Sequence, residues 1–444
     1  MKTKLLCVLF MLLSLAQMAW ARVDPRLAPA CLMGVYRSPQ GETLSLVPVP
    51  GHPDWLRANE LDGRLGTFKK ETDDTLIAAP NADDPTELAG KVSNATCGHD
   101  SISLQLGRGA KQRWARLPLR ITRTRFKSGT IELNGELIEP TSALGKPPLV
   151  VHVHGSESTA AVDSSTMPYL MAIAGIASFV FDKRGTGASS GTYTQDFELL
   201  SDDVAAAVRT ARRLAGDRVG RVGVAGFSQG GWVAPAAATK APVDFVVVGY
   251  GVVGTAMEQD EWQVAYQLRD AGFTDADIAK ARELTDLAGR VAASNFNDGL
   301  AALRAAVKRR EDEPWLAKVD GQYTGELIRG EIDRARSESP GVLWHYDTRQ
   351  VLDRLNVPQL WVFAQDDSVA PSAPSIARLK EFQRAGKSIA IAVFPKTDHG
   401  IRTYTVKPDG TRKSLHYASG YDQLLADWIE GKPLSRYGDA TLQR

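Results

Sequence analysis

The sequence predicts an α/β protein: a mostly parallel sheet with helices on both faces, a helical cap insertion, and a small β-rich N-terminal module. Three observations predict it. From residue 149 onward, short apolar runs alternate with helix-period stretches, the rhythm of a parallel sheet covered on both faces. Residues 255–340 interrupt that rhythm with charged, helix-like sequence. Residues 22–118 show only short runs of two-residue alternation, punctuated by Gly41, Gly51, Pro53, Gly63 and Gly66. A chain of 444 residues exceeds what one core usually serves, so inserted or additional units are expected.

Residues 1–21 are read as a targeting segment rather than fold. Lys2 and Lys4 precede a short apolar stretch over 5–16, and Ala19-Trp20-Ala21 offers a small-x-small cleavage site. A secretory signal is expected, and a secreted or periplasmic protein with no stable membrane insertion once it is cut; a retained anchor is the rival reading. Cysteine usage agrees. Cys7 lies in the signal, which leaves Cys31 and Cys97 as a pair in an oxidising compartment, so a disulfide stapling the β-rich module is expected. Two cysteines without matched histidines make no zinc site. A net charge of +1 shows no basic excess that would call for a nucleic-acid partner.

The division that follows is 22–118 for the β-rich module, 119–254 with 341–444 for the sheet domain, and 255–340 for the cap. Residues 130–138 read as a hairpin, and 140–148 as a turn-rich connector. Strands are expected over 149–154, 177–182, 222–226, 245–249, 359–364 and 389–394, and helices over 168–174, 197–214, 230–240, 376–384 and 421–429. Within the cap, Thr274 with Asp277 marks a helix start, and Ala281, Leu284, Ala288 and Val291 mark one apolar face.

The strongest chemical signal is Gly226-Phe227-Ser228-Gln229-Gly230, between an expected strand and an expected helix. A serine on such a sharp turn has its hydroxyl exposed at the sheet's C-terminal edge, and the flanking glycines let strand and helix approach. The Gln229 N–H then points at a developing oxyanion. A serine hydroxyl needs a base, and the base needs an orienting carboxylate. Only His399 and His416 follow late enough; His399 leaves a strand end and is favoured over His416 in its polar surroundings. The loop Gln365-Asp366-Asp367-Ser368 leaves the penultimate strand and supplies two acids, of which Asp367 is preferred as the orienting group and Asp366 as a loop cap. The loop His154-Gly155-Ser156 offers the Ser156 N–H as second oxyanion donor; His152 and His154 read as structural braces. Trp232, Trp262 and Trp344 are candidate substrate-pocket residues, though each type also suits core packing.

With these motifs in order, the chain resembles the α/β-hydrolase superfamily over about residues 120–429. Asp182-Lys183-Arg184-Gly185-Thr186-Gly187-Ala188-Ser189 matches a loop common among these hydrolases, and the likeness is to exported bacterial esterase-like members. One departure is Ala364, where relatives often carry Gly. The resemblance implies a two-step acyl transfer on Ser228 with no metal or organic cofactor. It implies a carboxylesterase acting on a small-molecule ester. A peptidase or amidase resembling the prolyl oligopeptidase family is the alternative, and a binding protein on an inactive hydrolase fold the third possibility. Oligomeric state is not read.

Overall fold

The computed structural model describes residues 30–79, 87–141, 145–408 and 410–443. The expected signal segment lies outside the described residues. Eight strands open the described chain: β1 (Gly34–Arg37), β2 (Thr43–Val49), β3 (His52–Asn59), β4 (Leu65–Thr72), β5 (Thr75–Ala78), β6 (Gly90–Ser93), β7 (Ser101–Leu106) and β8 (Gln112–Arg116). Each pairs antiparallel with the next, and β8 returns to β1, so the sheet closes into a barrel without free edges. Alternation decides what fills it: Tyr36, Leu44, Leu46, Leu56, Phe68, Ile102, Leu104 and Trp114 form one buried cluster. A disulfide joins Cys31 to Cys97, tying the segment before β1 to the loop between β6 and β7.

A second buried cluster forms on the outside of this barrel. Val35 of β1 and Val47 of β2 pack against Ile138, Tyr169, Ala172 and Val180. That seam fixes the barrel on the sheet domain.

The sheet domain has nine strands: β9 (Leu119–Ser128), β10 (Ile131–Pro140), β11 (Leu149–Val153), β12 (Ala177–Phe181), β13 (Val222–Phe227), β14 (Phe245–Gly249), β15 (Gln359–Ala364), β16 (Ile389–Phe394) and the late β20 (Thr441–Gln443). Their order is β20-β16-β15-β14-β13-β11-β12-β10-β9. The strands β12, β11, β13, β14, β15 and β16 are parallel, and their near-continuous Val, Ile, Leu and Phe runs are buried on both faces. Helices α1 (Met167–Ile173) and α11 (Tyr421–Glu430) cover one face, with Leu170, Met171, Leu424 and Ile429 in its core. Helices α2 (Phe197–Ala215), α3 (Gly230–Ala238), α9 (Thr348–Arg354) and α10 (Ser372–Arg384) cover the other, with Val204, Val208, Val233 and Leu379 buried there. Because β11 lies between β12 and β13, strand order reverses at β11, and the crevice at such a switch point is where open sheets place their sites.

The expected hairpin at 130–138 is corrected. Residues 131–138 all run within β10, and the turn is at Gly129 and Thr130, with Ser128 paired to Ile131. The Asn134-Gly135 pair serves packing instead of turning. A Cβ on Gly135 would sit 2.7 Å from the Phe179 ring, and the Asn134 amide donates to Asp182 at 2.9 Å.

The helical insertion comprises α4 (Ala256–Asp270), α5 (Asp275–Ala293), α6 (Leu300–Arg309), α7 (Thr324–Arg329) and α8 (Ile332–Glu338), with a buried cluster of its own. Thr274 and Asp277 form a capping box at the start of α5, and Ala281, Leu284, Ala288 and Val291 are buried. Among the described residues no helix is long and apolar enough to cross a membrane. A small sheet of β17 (Thr397–Asp398), β18 (Arg402–Val406) and β19 (Arg412–Tyr417) follows β16.

Candidate active site

Ser228 sits where β13 turns into α3, at a left-handed φ of 53°. Its amide donates to the Gly249 carbonyl at 3.0 Å. The glycines around it are required by contact: a Cβ on Gly226 would lie 2.2 Å from the Gly230 carbonyl oxygen, and one on Gly231 2.8 Å from Gly251 Cα. The conformation is strained for serine, and the surrounding strand and helix hold it.

His399 lies between β17 and β18, and its Nε2 is 3.0 Å from Ser228 Oγ. Its Nδ1 lies 3.0 and 3.1 Å from the two oxygens of Asp367. An ionised carboxylate only accepts, so Nδ1 carries the proton and Nε2 is free to accept from the serine hydroxyl. Asp367 is buried and also accepts from the Val369 and Ala370 amides at 3.0 and 2.7 Å. Burial alone would hold His399 below the ordinary imidazole value of 6.5, but the charge and hydrogen bond of Asp367, with Asp398 beyond, lift it above that value. Tyr250 closes one side of the imidazole edge to face, with ring centroids 4.9 Å apart. Ala364 ends β15 opposite Phe394, and the acid loop leaves from there.

Asp366 turns away from this chain and accepts from the Tyr404 hydroxyl at 3.0 Å. His416 lies on β19 with Nδ1 on the Tyr417 carbonyl at 2.8 Å and Nε2 3.7 Å from Glu87. The Ser228–His399–Asp367 hydrogen-bond chain includes neither.

The loop after β11 passes beside Ser228: a Cβ on Gly155 would lie 3.6 Å from Ser228 Cβ. Three side chains pin this loop through four hydrogen bonds. His154 Nε2 meets the Phe181 carbonyl at 2.5 Å, Lys183 Nζ donates to the Gly155 and Glu157 carbonyls at 2.7 and 2.9 Å, and the Tyr193 hydroxyl donates to the Ser156 carbonyl. Ser156 borders the cavity at Ser228, and Gln229 caps the start of α3, where helix N–H groups have no intrahelical partner. His152 is buried with Nε2 on the Ser178 hydroxyl at 2.9 Å.

Two contributors carry no motif of their own. Lys183 is almost fully buried, and burial, against the opposing Glu157 carboxylate, pushes its ammonium down to about 8. Asp398 accepts from the Ser368 amide and hydroxyl and from the His399 amide, each at 2.8 Å, and from Arg412 at 3.0 Å. It therefore locks the acid loop to the histidine loop. Burial would raise its carboxyl, yet these hydrogen bonds hold it below the ordinary 3.8. Only the tertiary structure brings these partners together; in sequence Lys183 shows only as a member of the 182–189 loop, and Asp398 only as the residue before the histidine.

The cavity that opens at Ser228 has a volume of about 630 Å³. Its wall includes Pro50, Arg57 and Asn59 of the barrel, and among the described residues the helical insertion contributes nothing to it. The barrel thus borders the cavity, and the helical insertion packs on the loop that carries Asp367, with Gln259 donating to the Val369 carbonyl at 3.2 Å. The three tryptophans expected in the substrate pocket pack elsewhere. Trp232 leaves α3 toward α2, stacks on Phe197 at 5.0 Å and donates to the Gly254 carbonyl at 2.8 Å. Trp262 lies under the Arg378 guanidinium at 4.8 Å. Trp344 is buried against Tyr323 and Phe296. None of the three borders the cavity.

Solved structures similar to this chain include an esterase of Pyrococcus furiosus, 12% identical over 63% of this chain and 83% of that one, with a TM-score of 0.40. An acylaminoacyl peptidase of Pyrococcus horikoshii is 16% identical over 78% of this chain and 50% of that one, with a TM-score of 0.39. A ferulic-acid-bound esterase of Butyrivibrio proteoclasticus is 18% identical over 69% of this chain and 96% of that one, also at 0.39. No curated protein matches the chain. The sequence profile of the X-Pro dipeptidyl-peptidase (S15) family matches residues 128–399, from the end of β9 to the histidine, which is more than half of the chain. The chain belongs to that family, as a serine hydrolase of the α/β-hydrolase type.

Proposed function

We propose that the protein hydrolyses carboxylic esters of small molecules through an acyl-enzyme on Ser228, with His399 as base and Asp367 as its orienting acid. The observation that carries this is the continuous hydrogen-bond chain from Ser228 Oγ through both ring nitrogens of His399 to a buried carboxylate. Ser228 attacks the carbonyl while His399 takes its proton. The Gln229 and Ser156 N–H groups receive the negative oxygen, each such donor being worth about 3 kcal/mol. His399 then protonates the leaving alcohol, and water activated by the same nitrogen releases the acid. An alkoxide leaves more easily than an amine, so the ester is the reaction this machinery needs least help to perform.

Peptide or amide cleavage is the second reading. Membership of a peptidase family favours it, and so do the Glu157 and Asp422 carboxyls on the cavity wall, where an α-ammonium would find a partner. Export is part of the proposal. The Cys31–Cys97 disulfide supports a compartment outside the cytoplasm.

The test is turnover of p-nitrophenyl esters and of peptide p-nitroanilides by the wild type and by Ser228→Ala. Ester hydrolysis lost by a factor of about 10⁴ or more in the variant is expected. Anilide hydrolysis in its place would transfer the protein to the second reading, and serine-independent turnover of either would refute the mechanism.

A further inference from the structure

Buried polar atoms without partners are rare, because each costs about 1–3 kcal/mol when left unpaired. Five of them belong to residues that border one cavity: Asn59 Oδ1, His152 Nδ1, Thr166 Oγ1, Tyr421 Oη and Asp422 Oδ2. Four belong to side chains more than nine-tenths buried, namely Asn59 at 2%, His152 at 7%, Tyr421 at 1% and Asp422 at 2% exposure. They come from different units. Asn59 ends β3 of the barrel, His152 is on β11, and Tyr421 and Asp422 open α11. The barrel turn after β3 is docked there by contact: the Tyr417 amide donates to the Gly63 carbonyl at 3.3 Å, and a Cβ on Gly63 would lie 2.7 Å from the Tyr417 carbonyl oxygen. Barrel and sheet domain thus together bring residues with unpaired donors and acceptors to the wall of the cavity that Ser228 also borders.

We propose that this wall is a substrate subsite for a hydroxyl-rich group, a sugar or polyol portion of the ester, with Asn59, Tyr421 and Asp422 as its specificity-determining residues. The inference rests on the ester reading above. Its chemistry follows from the mix of groups. Asn59 Oδ1 accepts only, the Tyr421 and Thr166 hydroxyls both donate and accept, and a neutral His152 presents Nδ1 in either role. Burial, and then His154, push His152 down to about 3, so it stays neutral at any working pH. Burial, and then nearby Asp62, push Asp422 up to about 7, so near neutrality its carboxyl is available both as donor and as acceptor. Hydroxyls, which donate and accept at one atom, satisfy such a set. An ammonium only donates and calls for full negative charge, which a carboxyl pushed up to about 7 supplies only in part near neutrality.

The experiment compares kcat/KM for glucose monoacetate and monoacetylglycerol with that for hexyl and propyl acetate. It uses the full chain, in wild type, Asn59→Leu, Asp422→Leu and Asp422→Asn. The wild type is expected to prefer the hydroxylated esters by about a hundredfold, the scale at which sites built to hydrogen-bond a hydroxyl begin to reject analogues lacking it. Both leucine variants should bring the ratio close to one, and Asp422→Asn should restore most of it. Should the leucine variants fail to fold, glucose is expected to inhibit wild-type p-nitrophenyl acetate hydrolysis competitively where hexanol at equal concentration does not. Equal wild-type turnover of both ester classes, or a ratio unmoved in folded variants, overturns the subsite and leaves the ester mechanism standing. Preference for alanine p-nitroanilide that disappears in Asp422→Leu overturns it in favour of an ammonium site. Absence of any Ser228-dependent ester turnover removes both proposals together.

Discussion

His399 shows how a few contacts set the working range of a side chain. In the proposed mechanism it must be neutral at Nε2 to accept the Ser228 proton, and the Asp367 carboxylate 3.0 Å from Nδ1 favours the charged form. The folded value therefore lies above 6.5, and the active neutral form is lost as pH falls through that raised value. The acid limb of kcat/KM for ester hydrolysis is expected to have its midpoint above 6.5 in the wild type and to move down in Asp367→Asn; a midpoint below 6.5 in the wild type would contradict this assignment. Lys183 is the second residue-scale case. Removing its ammonium in Lys183→Met leaves the Gly155 and Glu157 carbonyls without their donor and loosens the backbone that carries the Ser156 N–H. A fall in kcat of roughly 10–100-fold with KM little changed is expected, since an oxyanion donor acts only in the transition state. Steady-state kinetics on p-nitrophenyl acetate check it, and an unchanged kcat would show that Lys183 only supports packing. Ser228, His399 and Asp367 were legible in the sequence because each sits in a local pattern whose geometry is fixed by a strand end. Lys183 was visible only as a member of a shared loop, and Asn59 and Asp422 carried no signal at all. Their roles come from convergence across more than a hundred residues of chain, which no local pattern records.

Elements explain what the residues alone do not. The parallel strands and all their covering helices except α9 were readable to within a few residues because burial on both faces leaves long apolar runs. The hairpin was misplaced because Asn134-Gly135 has the composition of a turn, while its glycine is demanded by the Phe179 ring. The small sheet β17–β19 was not read, because its polar residues alternate weakly and its strands pair only across turns. That sheet nonetheless carries the brace of the site. From β19, Arg412 donates to the Asp366 carbonyl at 2.5 Å, to Asp398 at 3.0 Å and to the Tyr266 hydroxyl of α4 at 2.8 Å, and it stacks on Tyr404 at 4.4 Å. It joins the acid loop, the histidine loop and the helical insertion. Arg412→Ala is expected to lower kcat/KM for esters by about 10–100-fold through misplacement of His399 and Asp367. Arg412→Lys, which keeps the charge but not the planar fork, should recover little of it. Full activity in Arg412→Ala would mean that Asp398 alone fixes the two loops.

At the scale of the whole molecule, the two appended units sit differently about the cavity. The helical insertion has a core of its own and, among the described residues, does not border the cavity, while the barrel contributes Pro50, Arg57 and Asn59 to its wall. The reason lies on the barrel's outer face. Val35 and Val47 are fully buried against α1, β10 and β12, and this apolar seam places the end of β3 over the cavity. The sequence shows apolar alternation in β2, but a closed barrel with an apolar outer stripe looks the same as a barrel alone, so the docking was not legible. The seam is separable from the barrel interior, which has its own cluster and its disulfide. Val47→Asp puts an unpaired carboxylate into the seam at a cost of several kcal/mol, on the order of 3 or more. The barrel should then remain folded but release from the sheet domain. Calorimetry is expected to resolve two transitions in the variant where the wild type shows one, and limited proteolysis should cut the connection near residues 117–119. KM for hydroxylated esters should rise while turnover of p-nitrophenyl acetate by Ser228 persists, because the nucleophile, base and acid all belong to the sheet domain. A single transition with unchanged KM would mean that the barrel is held by the Gly63–Tyr417 contact instead of by the seam.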